Sequence, residues 1–295
     1  MASEPSAVDA ARIDEKLVRM LVREQFPQWA QLSLTFVERG GNDHRMFRLG
    51  GDLVVRLPSA PGYVAQVQKE QQWLPRLAPA VPLPIPLVHG SGRPSRDFPA
   101  PWSIYSWLAG EPAARVSIDD PVGLAAALAE FLVALRHADT TGAPRPGQHS
   151  AFRGGPLQHW DDEMGDLFAR LQGAQRADAQ ALWRDALDAR STGEPGWVHG
   201  DVSLNNLLMR DGHLGAVIDF GCAAVGDPAC DTVILWTFFT GEARAVFRRE
   251  LAVDDATWTR GQGWALWKAL IMLTNIPAQQ RALADHVLDQ LLRSR

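Results

Sequence analysis

Cysteine is almost missing from this chain: Cys222 and Cys230 are the only two in 295 residues. That number excludes a disulfide framework, and the two lack the spacing of a metal site, so both read as reduced, semi-buried thiols. Lysine is nearly as scarce. Lys16, Lys69 and Lys268 are the only three, and every other basic side chain is an arginine. No apolar run approaches the roughly 18 residues of a membrane helix. The opening Met1-Ala2-Ser3-Glu4-Pro5 begins an acidic, Ala-rich stretch without a signal-peptide core. No repeat of fixed period appears. Positive charge is not in excess either: a net charge of −5 argues against a nucleic-acid surface, where a basic stripe is expected. These absences predict a cytoplasmic protein, monomer or weak homodimer, with neither nucleic acid nor membrane as partner. At 46% hydrophobic residues the chain can bury one large core or two adjoining lobes.

What the sequence does contain is a pair of spaced motifs. Trp197-Val198-His199-Gly200-Asp201-Val202-Ser203-Leu204-Asn205-Asn206 is followed by Ile218-Asp219-Phe220-Gly221, with Asp219 thirteen residues after Asn206. Phosphoryl transfer by kinases uses an Asp that orients the attacking hydroxyl, an Asn five positions on that takes a magnesium ion, and an Asp before Phe-Gly that holds the metals on the nucleotide phosphates. Asp201, Asn206 and Asp219 meet those spacings. Between them, two apolar runs flank Asp211-Gly212, a strong hairpin signal. A two-residue turn there sets Arg210 opposite His213, Asn206 opposite Val217 and Leu204 opposite Asp219. Asn206 and Asp219 then become diagonal neighbours on one face, within reach of one or two metal ions.

The segment from Trp197 to Asp231, closed by Gly226-Asp227-Pro228-Ala229-Cys230-Asp231, resembles the aminoglycoside phosphotransferase family of small-molecule kinases. That resemblance implies an α+β, two-lobed protein-kinase-like fold, with a small N-terminal antiparallel-sheet lobe and a larger, mainly helical C-terminal lobe. The lobes are expected at residues 1–108 and 109–295.

In the first lobe a helix is expected from about Ala7 to Gln25, then strands Leu32–Arg39, His44–Leu49 and Leu53–Leu57. Gly40-Gly41-Asn42-Asp43 stands where kinases place their phosphate-covering loop, so Gly41 is a candidate phosphate contact. Kinases carry a phosphate-binding Lys on the third strand. Arg56 stands there instead. A guanidinium can grip phosphate oxygens bidentately, although its reach differs from an ammonium. Tyr63 to Leu74, stopped at Pro75, reads as a helix whose inward stripe runs through Val64, Val67 and Leu74. Glu70 lies on that stripe and is the expected partner of Arg56, whereas Lys69 is turned about 100° away and reads as a solvated charge.

The run Trp102–Leu108 reads as a strand that leads to the crossing into the second lobe. The resemblance implies that the adenine edge bonds to backbone there, with the Ser106 carbonyl and Leu108 amide the expected groups. Upstream, Val81–Val88 is too proline-dense for a central strand and is expected to be an extended edge. The second lobe reads as helices over Pro121–His137, Asp161–Leu171, Ala177–Arg190, Cys230–Phe239, Glu242–Leu251, Asp254–Asn275 and Ala278–Arg293. Trp236, Trp258, Trp264 and Trp267 are expected to pack in the core.

Residues 1–108 hold 12 Lys and Arg against 10 Asp and Glu, and the remainder 17 against 24. An acidic second lobe suits a cationic acceptor through electrostatic steering. Asp161, Asp162, Asp227 and Glu242 are the candidate acceptor residues, while Asp231 reads as a brace for the catalytic loop. Arg153 is left between an anion contact and a turn cap. The expected activity is magnesium-dependent transfer of the γ-phosphoryl of ATP, or GTP, to a hydroxyl of a small molecule, first an aminoglycoside-type antibiotic. A macrolide, or a metabolite such as a sugar or amino alcohol, is the alternative acceptor, and a nucleotide-binding pseudokinase a remoter reading. A protein kinase is disfavoured, because Asp231 and a helix follow Asp219-Phe220-Gly221 within about a dozen residues, leaving no activation loop.

Overall fold

The computed structural model describes residues 8–38, 43–191, 193–274 and 278–293. Helix α1 covers Glu15–Gln25 and is shorter than expected, because two aspartates compete for the backbone before it. Asp9 caps a separate 3-10 turn, Ala10–Arg12, and Asp14 starts α1 anew by accepting the Leu17 amide at 2.8 Å. Strands β1 (Leu34–Phe36), β2 (His44–Leu49) and β3 (Leu53–Pro58) follow, then helix α2 (Val64–Leu77) and strands β4 (Val88–Gly92) and β5 (Trp102–Ser106). They form one antiparallel sheet in the order β1-β2-β3-β5-β4. The Pro-dense run before Val88 leads into the edge strand β4, and at its end the Leu87 carbonyl accepts the Ser106 amide of β5 at 2.9 Å.

Alternation along β3 and β5 divides the sheet between two cores. Val55, Leu57, Trp102 and Ile104 pack on Val18, Leu21 and Val22 of α1. Val54 and Tyr105 point the other way, into a larger core shared with Trp73, Leu74 and Leu77 of α2. Arg56 is two residues on from Val54 and therefore faces α2 as well. Pro75 does not stop α2, contrary to expectation. Pro75 lies on the exposed side, while Trp73, Leu74 and Leu77 bury the last turn. Each fully buried side chain of that size contributes roughly 1.5–3 kcal/mol, enough to offset one lost helical hydrogen bond.

The chain then forms β6 (Glu111–Pro112), α3 (Pro121–Arg136), α4 (Asp161–Phe168), α5 (Gly173–Asp188), β7 (Gly196–Val198), β8 (Leu207–Arg210), β9 (His213–Val217) and β10 (Ala224–Gly226). Helices α6 (Ile234–Thr237), α7 (Gly241–Glu250), α8 (Asp255–Met272) and α9 (Ala278–Leu292) complete it. The single helix expected over Cys230–Phe239 is instead a 3-10 segment, Pro228–Val233, running into α6. Two small sheets, β6-β8-β9 and β10-β7, lie among these helices. Trp73 of α2 meets Trp197 of β7 with ring centroids 5.1 Å apart, tying the sheet region to the helical one. The whole is the expected α+β architecture. Trp236, Trp264 and Trp267 are buried, as core packing requires.

Candidate active site

The hairpin β8-β9 carries the two motifs, and its turn is as expected: Arg210 pairs with His213, and Asp211 and Gly212 both take positive φ, 51° and 80°. Farther from the turn the expected register is wrong by one. A bulge at Gly215 puts Leu208 opposite Ala216 and Leu207 opposite Val217. Asn206 therefore lies beside Ile218, whose amide donates to its carbonyl at 2.9 Å. The slip brings Asn206 next to the residue preceding Asp219. Asp219 itself is left-handed, with φ 68° and ψ 72°.

The loop after β7 is held from beneath. Asp231, buried in the 3-10 segment, accepts the His199 amide at 2.8 Å and the Gly200 amide at 2.7 Å, the bracing role expected of it. The His199 ring, fully buried on Phe220, is 3.0 Å from the Ile218 carbonyl through Nε2. Gly200 has φ 81°, and a Cβ there would lie 2.5 Å from the Cys222 carbonyl oxygen. Only glycine fits. The chain thus delivers Asp201 to the mouth of the cleft with 37% of its side chain exposed.

Asn206 Nδ2 donates to the Asp201 carbonyl at 2.9 Å and to Asp201 Oδ2 at 3.1 Å. That leaves the Asn206 amide oxygen as its atom able to coordinate a cation. Lys268, on α8, places Nζ 3.4 Å from Asp201 Oδ1. Burial pushes the Asp201 pKa up, but Lys268, Arg153 and His199 outweigh it and hold the carboxyl below the usual range.

Across the cleft, Arg56 is buried between three groups. Its Nη1 is 3.4 Å from Glu70 Oε1, and its Nη2 is 3.3 Å from both Asp219 Oδ1 and His44 Nδ1. Glu70 is further fixed by the Tyr105 hydroxyl, which donates to Oε2 at 2.7 Å. Burial disfavours the Arg56 charge, yet Glu70 and Asp219 hold its pKa above the ordinary value. His44, buried beside the guanidinium, is kept neutral well below its usual pKa. The Arg56 contacts are longer than the roughly 2.7–2.9 Å of tight charge-assisted bonds, so Arg56 can still turn toward a phosphate.

Asp43, His44, Arg56, Tyr105, Ser106, Leu108, Asp201, Asn206 and Asp219 all line one cavity of about 650 Å³ between the five-stranded sheet and the hairpin. A 650 Å³ cleft with an arginine and an aspartate across from a second aspartate can hold a nucleotide-sized anion. Gly41 lies outside the described residues.

The profile of the Phosphotransferase enzyme family matches residues 34–267, most of the chain. The chain belongs to this phosphotransferase family. No curated protein matches it. Solved structures do, at low identity. The GDP complex of wild-type aminoglycoside 2'-phosphotransferase-IIIa is 21% identical, with TM-score 0.76, covering 96% of this chain and 99% of that one. The streptomycin-ATP-APH(2")-IIa ternary complex is 18% identical, with TM-score 0.61, over 88% and 90%. The macrolide 2'-phosphotransferase MphH from Brachybacterium faecium, as apoenzyme, is 22% identical, with TM-score 0.63, over 94% and 98%. The fold is therefore that of the kinase-like antibiotic phosphotransferases.

Within this phosphotransferase the nominated acceptor residues are not gathered at the cleft. Asp161 accepts the Trp183 indole at 2.7 Å, and its neighbour Glu163 accepts the Trp267 indole at 2.9 Å. Asp227 is gripped by Arg260, Nε at 2.6 Å and Nη2 at 3.0 Å. Asp162 and Glu242 are exposed on helix first turns, and none of the four lines the cavity. Placement by likeness to related folds was too coarse a guide, because helix dipoles and buried indoles also recruit carboxylates. Arg153 lies over the Trp267 ring at 4.1 Å, neither capping a turn nor meeting a carboxylate at bonding distance.

Lys69 departs most from expectation. It is buried, and its Nζ donates to the carbonyls of Gly221 at 2.6 Å, Ala223 at 2.9 Å and His149 at 3.1 Å. The single inward stripe assumed for α2 omits its second buried face, formed by Gln66, Lys69 and Trp73. Trp73, four residues after Lys69, was the available signal: a large aromatic on that face has to be covered.

Proposed function

We propose that the chain transfers the γ-phosphoryl of ATP, or of GTP, to a hydroxyl of a small molecule, with residues 1–108 presenting the nucleotide and 109–295 the acceptor. The observation that carries this is the convergence of Asp201, Asn206, Arg56 and Asp219 on one cleft. The donor set Asp219 carboxylate plus Asn206 amide oxygen is all oxygen and suits a hard cation, magnesium. Bound there, magnesium supplies charge neutralisation on the phosphates. Arg56, steered by Glu70, grips phosphate oxygens. Ser106 and Leu108 offer backbone groups to the base edge. Asp201, ionised at neutral pH, orients the acceptor hydroxyl and takes its proton as the oxygen attacks phosphorus and the nucleoside diphosphate leaves.

An aminoglycoside-type acceptor is supported by the neighbours that hold streptomycin, gentamicin or kanamycin. One observation favours the second reading, a macrolide or a sugar. Lys268 and Arg153 put two positive charges near Asp201, while Asp161 and Asp227 are already engaged. A polycation would meet like charge at the reacting hydroxyl. The test is incubation with ATP or GTP and magnesium against a panel of aminoglycosides, macrolides, sugars and amino alcohols, read by mass spectrometry. Gain of one phosphate on an acceptor supports the reading. Nucleotide binding with no acceptor modified across the panel would favour a pseudokinase.

A further inference from the structure

Two adjacent residues of helix α2 hold parts of the chain that line the cleft, and they point in different directions. Glu70 reaches Arg56 on β3. Lys69 reaches the other way, to the backbone that follows Asp219. A lysine ammonium has three N–H donors and no acceptor, and here each donor has one carbonyl. Burial pushes its pKa down to about 8, so it remains mostly charged at neutral pH. Two of the carbonyls, Gly221 and Ala223, lie two and four residues beyond Asp219. The third, His149, belongs to the turn before Arg153 and holds the clamp from behind.

Asp219 needs such a clamp. A non-glycine residue in the left-handed region is strained and persists only where its surroundings fix it. Gly221 packs against α2: a Cβ there would come within 2.8 Å of Gln66 Oε1. We infer that Lys69 is a positioning residue for phosphoryl transfer, holding the Asp219–Ala223 backbone so that the Asp219 carboxylate faces the cation and the nucleotide phosphates. Lys69 touches neither, and the inference rests on the assignment of Asp219 above. Through Lys69 and Glu70 together, one helix fixes both the carboxylate and the arginine of the nucleotide end.

The experiment measures nucleotide affinity with magnesium and again with excess EDTA, so that the ratio reports the metal-dependent gain and not the fold. Lys69→Met keeps the length of the side chain and deletes the donors. It is expected to cut that gain by roughly 10- to 100-fold, the usual loss when a group that orients a metal ligand is removed. Lys69→Arg, which restores charge and donors, should recover part of it. Affinity in EDTA should change little in either variant, and circular dichroism should show both folded. Asp219→Ala serves as the benchmark and should abolish the gain. A folded Lys69→Met with the wild-type ratio, beside an Asp219→Ala that has lost it, overturns the positioning role and leaves the Asp219 assignment intact. A wild-type ratio in Asp219→Ala overturns both. Should Lys69→Met not fold, Lys69→Gln is measured in the same way. Loss of folding in all three Lys69 variants would mean a structural role and also overturns the inference.

Discussion

The two ends of the cleft are built differently. At the proposed nucleotide end, buried Arg56, Glu70, Tyr105 and His44 form one network that meets the partly exposed Asp219, with Lys69 behind it. At the acceptor end, Asp201 stands partly exposed on a loop, with only Lys268 and Asn206 bonded to its carboxylate. A buried network is costly to break at any member, since each loss leaves an uncompensated partner. An exposed carboxylate can be exchanged with little effect on its surroundings. The contrast teaches that Arg56 and Glu70 are held by a ring of buried partners, whereas Asp201 is set by the charges around it.

Removing Asp201 tests that contrast most severely. Asp201→Ala should lower kcat by about 10² to 10⁴, the range of general-base contributions, while the nucleotide Kd stays near wild type. Equal losses in turnover and nucleotide affinity would place Asp201 at the other end. Arg56 comes next, and here binding should suffer with turnover. Arg56→Ala should raise the nucleotide KM and cost about 3–5 kcal/mol of stability, the range for removing one partner of a buried pair. Arg56→Lys should keep part of the activity, because charge remains while the bidentate fork is lost. Steady-state kinetics and thermal unfolding read these out.

Lys268→Met is the smaller, sharper probe. The Asp201 pKa is depressed, so the ionised base persists above it and kcat/KM falls only as pH drops through that low value. Without Lys268 the pKa rises, and the acid limb of the rate profile should move to higher pH. An unmoved limb would mean that Lys268 does not face the ionised base. Smallest of all, Asp162→Asn and Glu242→Gln should each alter acceptor kcat/KM by less than about twofold, as for exposed charges with no bound partner. A tenfold loss in either would show that the acceptor reaches well beyond the cleft.

Much of the cleft was legible in the sequence because its chemistry is local. Asp201 to Asn206 and Asp219-Phe220-Gly221 are short strings whose spacing survives any packing, and Arg56 with Glu70 follows from strand order and helical phase. What surrounds Asp201 was not legible. Lys268 meets Asp201 across 67 positions, and whether Asp161 or Asp227 is free depends on Trp183 and Arg260, which no local pattern ties to them. The one-residue bulge at Gly215 also escaped, since alternation alone does not say where a strand takes an extra residue.

By itself the sequence determined the turn at Asp211-Gly212 and the spacing of Asp201, Asn206 and Asp219; the α+β architecture and the brace at Asp231 followed from the family those motifs resemble. The turn and the spacings depend on turn residues and loop length, which act over a few positions. Only the tertiary structure decided that Lys69 is buried and that, of the nominated acidic residues, Asp161 and Asp227 are engaged elsewhere while Asp162 and Glu242 stand exposed away from the cleft. Helical phase tells which residues share a face, but not how many faces a helix will bury; that depends on what packs against it from distant parts of the chain.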